Sequence, residues 1–174
     1  MASFLPRKIF FRLFSTNVII VVLIIISFLW LLNISFTSFY YSQKKEDLKV
    51  RAVLVSNILK VNSYPENLDK LGSLCQLLKE QTNTRYTIID MQFDHGRVLA
   101  DSHENPSSMD NHFLRNEVQD AVLSEIGYSK RYSETVKKEM LYLAISDTVN
   151  GYPLIIRTSV PIESLQNNIS DITI

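Results

Sequence analysis

Three histidines fall within 18 residues, His95, His103 and His112, interleaved with Asp101, Glu104 and Asp110. Imidazoles and carboxylates in one short stretch have the composition of a metal site or an acid–base pair. Their placement supports neither: all three histidines stand on turns or a polar loop, without two of them one helical turn apart as a zinc site would need. They read as solvated loop residues, and no metal is expected. Ser107 and Ser108 lie near Asp110, but the strand–turn–helix elbow that exposes a nucleophilic serine is missing. No paired acids or nucleophile–base arrangement occurs elsewhere, so no catalytic residue is expected. The lone cysteine, Cys75, excludes an internal disulfide and a multi-cysteine zinc site, and reads as a small apolar core residue. None of the four glycines sits in a phosphate-cradling cluster, so neither a nucleotide nor any other cofactor is expected.

The elements that carry these residues follow from charge and periodicity. Eighteen basic and eighteen acidic side chains balance over 174 residues, which lacks the basic footprint of a nucleic-acid binder. The balance joins two unlike parts. Residues 1–43 hold Arg7, Lys8 and Arg12 and no acid, whereas residues 44–174 hold 15 basic and 18 acidic groups. From Leu13 to Gln43 there are 31 residues without a charge. Crossing roughly 30 Å of hydrocarbon takes about 20 helical residues, and a transmembrane helix over 13–36 supplies them, with Trp30, Phe36, Phe39, Tyr40 and Tyr41 near the interface. A cleaved signal peptide is the rival, but NISFTSFYY offers no small-x-small cleavage site. The basic flank places residues 1–12 in the cytoplasm and residues 44–174 outside. The outer acids are scattered rather than run together, which does not suit a divalent-cation sensor docking on anionic lipid.

Beyond the anchor the period is helical across residues 37–82. Leu48, Ala52, Val55 and Leu59 share one stripe, flanked by Val53 and Ile58. An apolar stripe beside a membrane needs a cover, and these four are expected to form a homodimer helix. Ser63-Tyr64-Pro65 ends that helix, and a second runs over about 66–81 with Leu68, Leu71, Leu74, Cys75 and Leu78 on one face. From Thr84 the period becomes that of strands: TRYTIIDM, then GRVLADS, joined by a turn through Gln92–His95. Asn116 is placed to cap a short helix with Val118, Ala121, Val122 and Ile126 buried and Gly127 as its stop. Strands over about 128–135, 139–147 and 152–160 follow, the last two joined at Val149-Asn150-Gly151. Pro161 is expected to open a final helix. The fold class is α+β: a transmembrane helix continuing into a long helix, then an antiparallel sheet of about five strands with the long helices on one face.

The segment from TIIDMQFDHGRVLADS to KKEMLYLAI resembles the extracytoplasmic PAS-like sensor domain of membrane histidine kinases, particularly the phosphate-regulon (PhoR-type) kinases. The matching positions are Asp90, Gly96, Val98–Ser102, Met109, Asn111-His112, Arg115, Glu117-Val118, Gly127, Arg131-Tyr132-Ser133, Thr135, Leu141-Tyr142 and Ala144. They span roughly residues 84–165, with residues 83–165 as the sensor domain; Met91-Gln92-Phe93 is bulkier than the family's usual turn.

The resemblance implies a sensor in the bacterial inner membrane, signalling through movement of paired helices. It implies a hollow between the sheet, the short helix and its preceding loop, bringing Arg115, Arg131, Tyr142 and Arg157 together as ligand-binding residues. Guanidinium groups suit carboxylate or phosphate oxygens. The same arginines have a structural use, fixing the loop to the sheet through Asp101 or Glu117. Tyr132 and Tyr142 also read as core aromatics. Such kinases continue with a second membrane helix, a HAMP linker, a phosphoacceptor helix pair and an ATP-binding domain; residues 166–174 would begin the exit helix. A response regulator would be reached only through those kinase domains. The partners implied are the membrane, a second copy, and a small ligand or a partner protein. The alternatives are a standalone membrane-anchored binding or regulatory protein, or the input domain of a diguanylate cyclase or chemoreceptor.

Overall fold

A computed structural model describes residues 7–62, 65, 70–93, 95–134 and 136–162. Two compact units divide at Gln43 and Lys44, where the charge pattern also changes.

No proline or glycine lies between Arg7 and Val61, so nothing interrupts the backbone ladder. Helix α1 accordingly runs Arg7–Val61 without a break. Within the first unit its apolar side chains from Leu13 to Leu32 are exposed on every side, and the helix is long and apolar enough to cross a membrane.

The second unit is built on five antiparallel strands: β1 (Arg85–Asp90), β2 (Val98–Asp101), β3 (Ile126–Ser133), β4 (Lys138–Val149) and β5 (Tyr152–Pro161). Their spatial order is β2-β1-β5-β4-β3. β4 and β5 form the hairpin expected from Asn150-Gly151, whose φ values of 51° and 89° suit a tight turn between twisted strands. Helix α2 (Leu71–Thr82) precedes β1 and ends on a left-handed Asn83. Helix α3 (Asn116–Ser124) connects β2 to β3. Ser63, Tyr64, the first residues of the expected second helix including Leu68, and the expected exit helix lie outside the described residues. Pro161 is the last residue of β5.

Alternation of side chains across the sheet assigns its two faces. Thr87, Arg157, Ala144 and Gly127 stand opposite one another across four strands, and with them Arg85, Ile89, Ile155 and Tyr142 share one face. α3 covers part of it, in an apolar cluster of Ile89, Val118, Ala121, Ala144 and Ile155. Tyr86, Ile88, Leu143, Ile156 and Thr158 point to the other. α2 reaches that face through Thr82, whose hydroxyl lies 2.9 Å from the Tyr86 hydroxyl. The outer half of α1 lies there too: the Thr158 hydroxyl donates to the Leu48 carbonyl at 3.1 Å, and Lys60 pairs with Asp147 at 2.7 Å.

That placement corrects the dimer-helix expectation. Leu48, Ala52, Val55 and Leu59 are 0–2% exposed within a single chain; the cover this stripe needs is the protein's own sheet. The helix before β3 is corrected as well. Arg115, not Asn116, is its N-cap, and Glu125 in the left-handed region (φ 67°) ends it. Gly127 lies in β3, where a Cβ would run into the Glu117 carbonyl oxygen and Ala121 nitrogen of α3. Its role is close helix–strand approach. Val122 is 45% exposed and Ile126 belongs to the strand.

Candidate functional site

The arginines of the site face do not end in water. Asp101, at the end of β2, stands opposite Thr87 and takes hydrogen bonds from Arg85 Nε at 3.0 Å and from the Thr87 hydroxyl at 2.7 Å. Thr87 Oγ1 in turn accepts from Arg157 Nη2 at 3.1 Å. Arg157 Nη1 reaches Glu117 Oε1 at 3.3 Å, which also accepts from Arg131 Nη2 at 3.1 Å, while the Ser129 hydroxyl donates to Oε2 at 2.7 Å. Tyr142 lies between two guanidiniums, its ring centroid 4.1 Å from Arg131 and 5.1 Å from Arg157. One connected network therefore runs from Arg85 across the sheet to Arg131.

The network is buried. Glu117 is fully enclosed and Arg157 is 2% exposed. Burial alone would raise the Glu117 carboxyl. The Arg157 charge and the hydrogen bonds from Ser129 and Arg131 outweigh it, holding the group ionised below its ordinary value. Asp101 is likewise held low, burial being overcome by Arg85, Thr87 and the His103 N–H. Two donors remain orphaned: Arg131 Nε and Arg157 Nε are buried without a hydrogen-bond partner. A buried unpaired donor is costly, so these two mark where the protein alone leaves the chemistry incomplete.

Beside the network is a polar cavity of about 250 Å³. Its walls are the loop before α3, with Glu104, Asp110, His112 and Arg115, and the sheet, with Arg85, Arg131, Tyr142 and Arg157. All four residues singled out in the sequence, Arg115, Arg131, Tyr142 and Arg157, line this one space. Arg115 differs from the others: among the described residues its side chain makes no hydrogen bond or ion pair, and it is half-buried. Arg131 does hold Glu117, as the structural alternative foresaw; Asp101 is held instead by Arg85.

Two lining residues were missed. Arg85 opens a strand buried on both sides, whereas its alternation with Tyr86, Thr87 and Ile88 is that of a strand with one wet face. His112 was read as solvated with His95 and His103; those two are exposed, whereas His112 is 6% exposed. Its Nδ1 lies 2.7 Å from the Asp110 carbonyl oxygen, which can only accept, so Nδ1 carries the proton. Burial, then the charge of Arg157, lowers its pKa to about 4. His112 faces the cavity neutral, with Nε2 as an acceptor. The signal available was the Asn111-His112 pair itself: the Asn111 amide donates to the His95 carbonyl at 2.8 Å and the His112 N–H to the Gly96 carbonyl at 2.7 Å, tying the loop to the β1–β2 turn. Tyr132, read as a core aromatic, is 50% exposed at the cavity rim.

No family model matches the chain, and no curated protein matches it in sequence. Solved structures do match in fold. The ligand-binding domain of the Campylobacter jejuni chemoreceptor Tlp3, in complex with 4-methylisoleucine, superposes with a TM-score of 0.58 at 13% identity, covering 76% of this chain and 56% of that domain. The Pseudomonas fluorescens chemoreceptor CtaA domain with L-isoleucine gives 0.52 at 14% identity, covering 75% and 55%. The Escherichia coli DcuS sensor domain gives 0.50 at 11% identity, covering 72% of this chain and 97% of that one. The chain thus spans little more than half of the chemoreceptor domains and nearly all of the DcuS domain. At these identities the likeness is one of fold: an α+β sensor-domain architecture with a five-stranded antiparallel sheet behind a long N-terminal helix.

Proposed function

We propose that the chain is the membrane-anchored input module of a bacterial two-component sensor kinase, and that its outer unit binds a small anion bearing carboxylate or phosphate oxygens. The observation that carries the anion reading is Arg157: a guanidinium 2% exposed, lining a polar cavity, with its Nε unpartnered. Four guanidiniums surround the cavity, and the two buried carboxylates, Asp101 and Glu117, are already taken up by three of them. The lining also carries Glu104, Asp110 and Glu134, the last paired with Lys137, so an incoming anion would be met by the uncommitted donors of Arg115, Arg131 and Arg157 and not by a net positive wall. Neutral His112 adds an acceptor for a hydroxyl, an ammonium or a protonated oxygen on the same ligand.

Binding would draw the loop before α3 toward the sheet, because Arg115 and His112 belong to the loop and Arg131 and Arg157 to the strands. The opposite face of those strands carries α1, which leads without a break into the apolar segment. A ligand that prefers one arrangement of loop and sheet shifts the population of helix arrangements by its differential affinity. The proposed topology keeps the amino terminus in the cytoplasm and the outer unit beyond the inner membrane, with the protein acting as a homodimer. The kinase output and the phosphate-regulon subgroup rest on the sequence resemblance. A chemoreceptor output is the second reading, favoured by the fold shared with the Tlp3 and CtaA domains. The coding sequence beyond codon 174 separates them: a phosphoacceptor helix and ATP-binding domain on one side, a chemoreceptor signalling hairpin on the other.

The binding test is calorimetric titration of the full chain in lipid nanodiscs with inorganic phosphate, a four-carbon dicarboxylate and an α-amino acid. Saturable binding of at least one, weakened by Arg115→Ala, is expected. Failure of all three to bind overturns the anion reading.

A further inference from the structure

The uncommitted groups of the cavity wall are of two opposite kinds. Arg115, Arg131 Nε and Arg157 Nε are donors without partners among the described residues. His112 supplies the opposite. Its Nδ1 is committed to the Asp110 carbonyl oxygen at 2.7 Å, and its Nε2 has no partner among the described residues. The Glu104 and Asp110 carboxylates are uncommitted too, on the exposed side of the lining, whereas Glu134 is taken up by Lys137. The two kinds make different demands on a ligand. A guanidinium accepts any anionic oxygen. An Nε2 lone pair, with the ring's proton held on Nδ1, can be met only by an N–H or O–H. Nor does the imidazole readily become a donor. It is 6% exposed and shares the cavity with three guanidiniums. Burial, then the charges of Arg157, Arg115 and Arg131, lower its pKa to about 4, against the one opposing bond to the Asp110 carbonyl.

We propose that the cavity selects among anions, admitting those that carry a polar hydrogen of their own and rejecting those that carry none, with His112 as the selecting residue. The inference rests on the anion reading and narrows it. The ligand has a carboxylate or phosphate end for the guanidiniums. Within a space of about 250 Å³ it also has a hydroxyl, an ammonium or a protonated oxygen for Nε2. Hydrogen phosphate, hydroxy acids and amino acids share that chemistry; sulfate and plain carboxylates lack it. A donor-free anion filling the same space sets lone pair against lone pair at Nε2, or forces a proton onto a ring surrounded by positive charge. Leaving a site's buried polar group unpaired in this way discriminates more strongly than a change of size in an apolar pocket does.

The test is calorimetric titration of the full chain in lipid nanodiscs, near neutral pH, with matched pairs of anions. Inorganic phosphate is set against sulfate, malate against succinate, and alanine against propionate, so that each pair differs by one donor group. In at least one pair the donor-bearing member is expected to bind about tenfold or more tightly than its donor-free counterpart. The pair that shows the preference tells a mineral anion from a hydroxy acid or an amino acid. Two variants then locate the source. His112→Gln places a carboxamide, which both donates and accepts, near the position of Nε2. His112→Asn can keep a donor on the Asp110 carbonyl while withdrawing the acceptor from the cavity. Each is expected to lower the preference at least fivefold. Equal affinities within every pair that binds, or tighter binding of the donor-free member, would overturn the selection and leave the anion reading standing. That outcome is read on the unsubstituted protein, whether or not the variants fold. A preference unchanged in both variants would overturn His112 as its source. Binding by no member of any pair would overturn the anion reading, and this inference with it.

Discussion

The two faces of the outer sheet are equally buried and differently built. On the helix side, Ile88, Leu143 and Ile156 are fully enclosed beneath α1 and α2. Folding there needs little beyond apolar area, roughly 25 cal/mol for each Å² removed from water. On the site side, Arg85, Asp101, Glu117 and Arg157 are at most 7% exposed. Desolvating such charges is expensive, and their mutual attraction repays it only when every donor and acceptor is met. Here Arg131 Nε and Arg157 Nε are not met. A sheet that can be closed by aliphatic packing on one side carries a strained charge network on the other. The site face gives up stability that the helix face shows to be attainable, which supports the proposal that a ligand completes the network.

The sharpest way to break this contrast is to remove one charge and then all of them. Glu117→Ala strands Arg157 and Arg131 and is expected to cost about 3–5 kcal/mol, the usual penalty for breaking a buried pair. Combining Glu117→Leu, Arg131→Met and Arg157→Met removes the uncompensated charge, and denaturant unfolding should return to within about 1 kcal/mol of the parent or exceed it, with anion binding abolished. On the helix face Ile156→Ala is expected to cost about 2–5 kcal/mol by leaving a cavity. If the triple variant stays as unstable as Glu117→Ala, the network is structural and the contrast between the faces fails.

A second test uses pH. Folded His112 protonates only near pH 4, whereas an unfolded imidazole does so near pH 6.5. Between these values the unfolded chain holds the extra proton, so stability is complete above about pH 6.5 and declines as pH falls toward 4, by at most about 3 kcal/mol. Asp101 and Glu117 are depressed below their ordinary values, so their contribution is present above the normal carboxylate range and is lost only in more acidic solution. Unfolding curves from pH 7.5 down to about pH 2 should show the His112 limb first, and His112→Gln should flatten it while leaving the more acidic carboxylate limb. An anion in the cavity would stabilise the imidazolium, so affinity should rise over the same fall in pH. A parent protein with no slope in that window would place His112 in solvent, as the sequence reading had it.

On the site face stands Gly127, which lets α3 settle on β3. Gly127→Ala forces a Cβ against the Glu117 and Ala121 backbone, and a loss of about 1–3 kcal/mol is expected from overpacking. Because Glu117 is on the displaced helix, anion affinity should fall with stability. Unchanged affinity in a destabilised variant would show that the network tolerates movement of α3.

The pattern of residues announced the sheet better than the site. Five strands, their sequence limits within a few residues and the Asn150-Gly151 hairpin follow from period two and turn chemistry, which are local properties. Arg115, Arg131, Tyr142 and Arg157 were brought together only through the family resemblance, because they come from a loop and three different strands. Arg85 was hidden by its strand: Arg85 and Thr87 alternate with Tyr86 and Ile88 as on any strand with one wet face, yet RYTIID is buried at every position. His112 was hidden by its neighbours, since a polar loop such as ENPSSMDNH looks solvated throughout until the backbone folds it over the sheet. α1 misled for a different reason. It has apolar stripes on opposite sides, and periodicity cannot say which one the sheet takes.

The smallest stability effect makes the finest distinction. Arg115 lines the cavity from the loop yet holds no carboxylate, whereas Arg85, Arg131 and Arg157 each do. If the site face exists for a ligand, the arginine with no structural partner is the one whose loss is felt only by that ligand. Arg115→Ala should therefore change unfolding free energy by less than about 0.5 kcal/mol, as for a surface substitution. It should weaken the bound anion by about 1.5–3 kcal/mol, or roughly 10- to 150-fold, the range for a hydrogen bond to a charged group. Arg115→Lys should recover only part of that affinity, because a single ammonium cannot reproduce a planar two-donor fork. Calorimetry of the three proteins beside their denaturation midpoints reads both quantities at once. A variant that loses stability and affinity together would mean that Arg115 braces the loop, and the ligand-facing role would pass to the buried Arg157 alone.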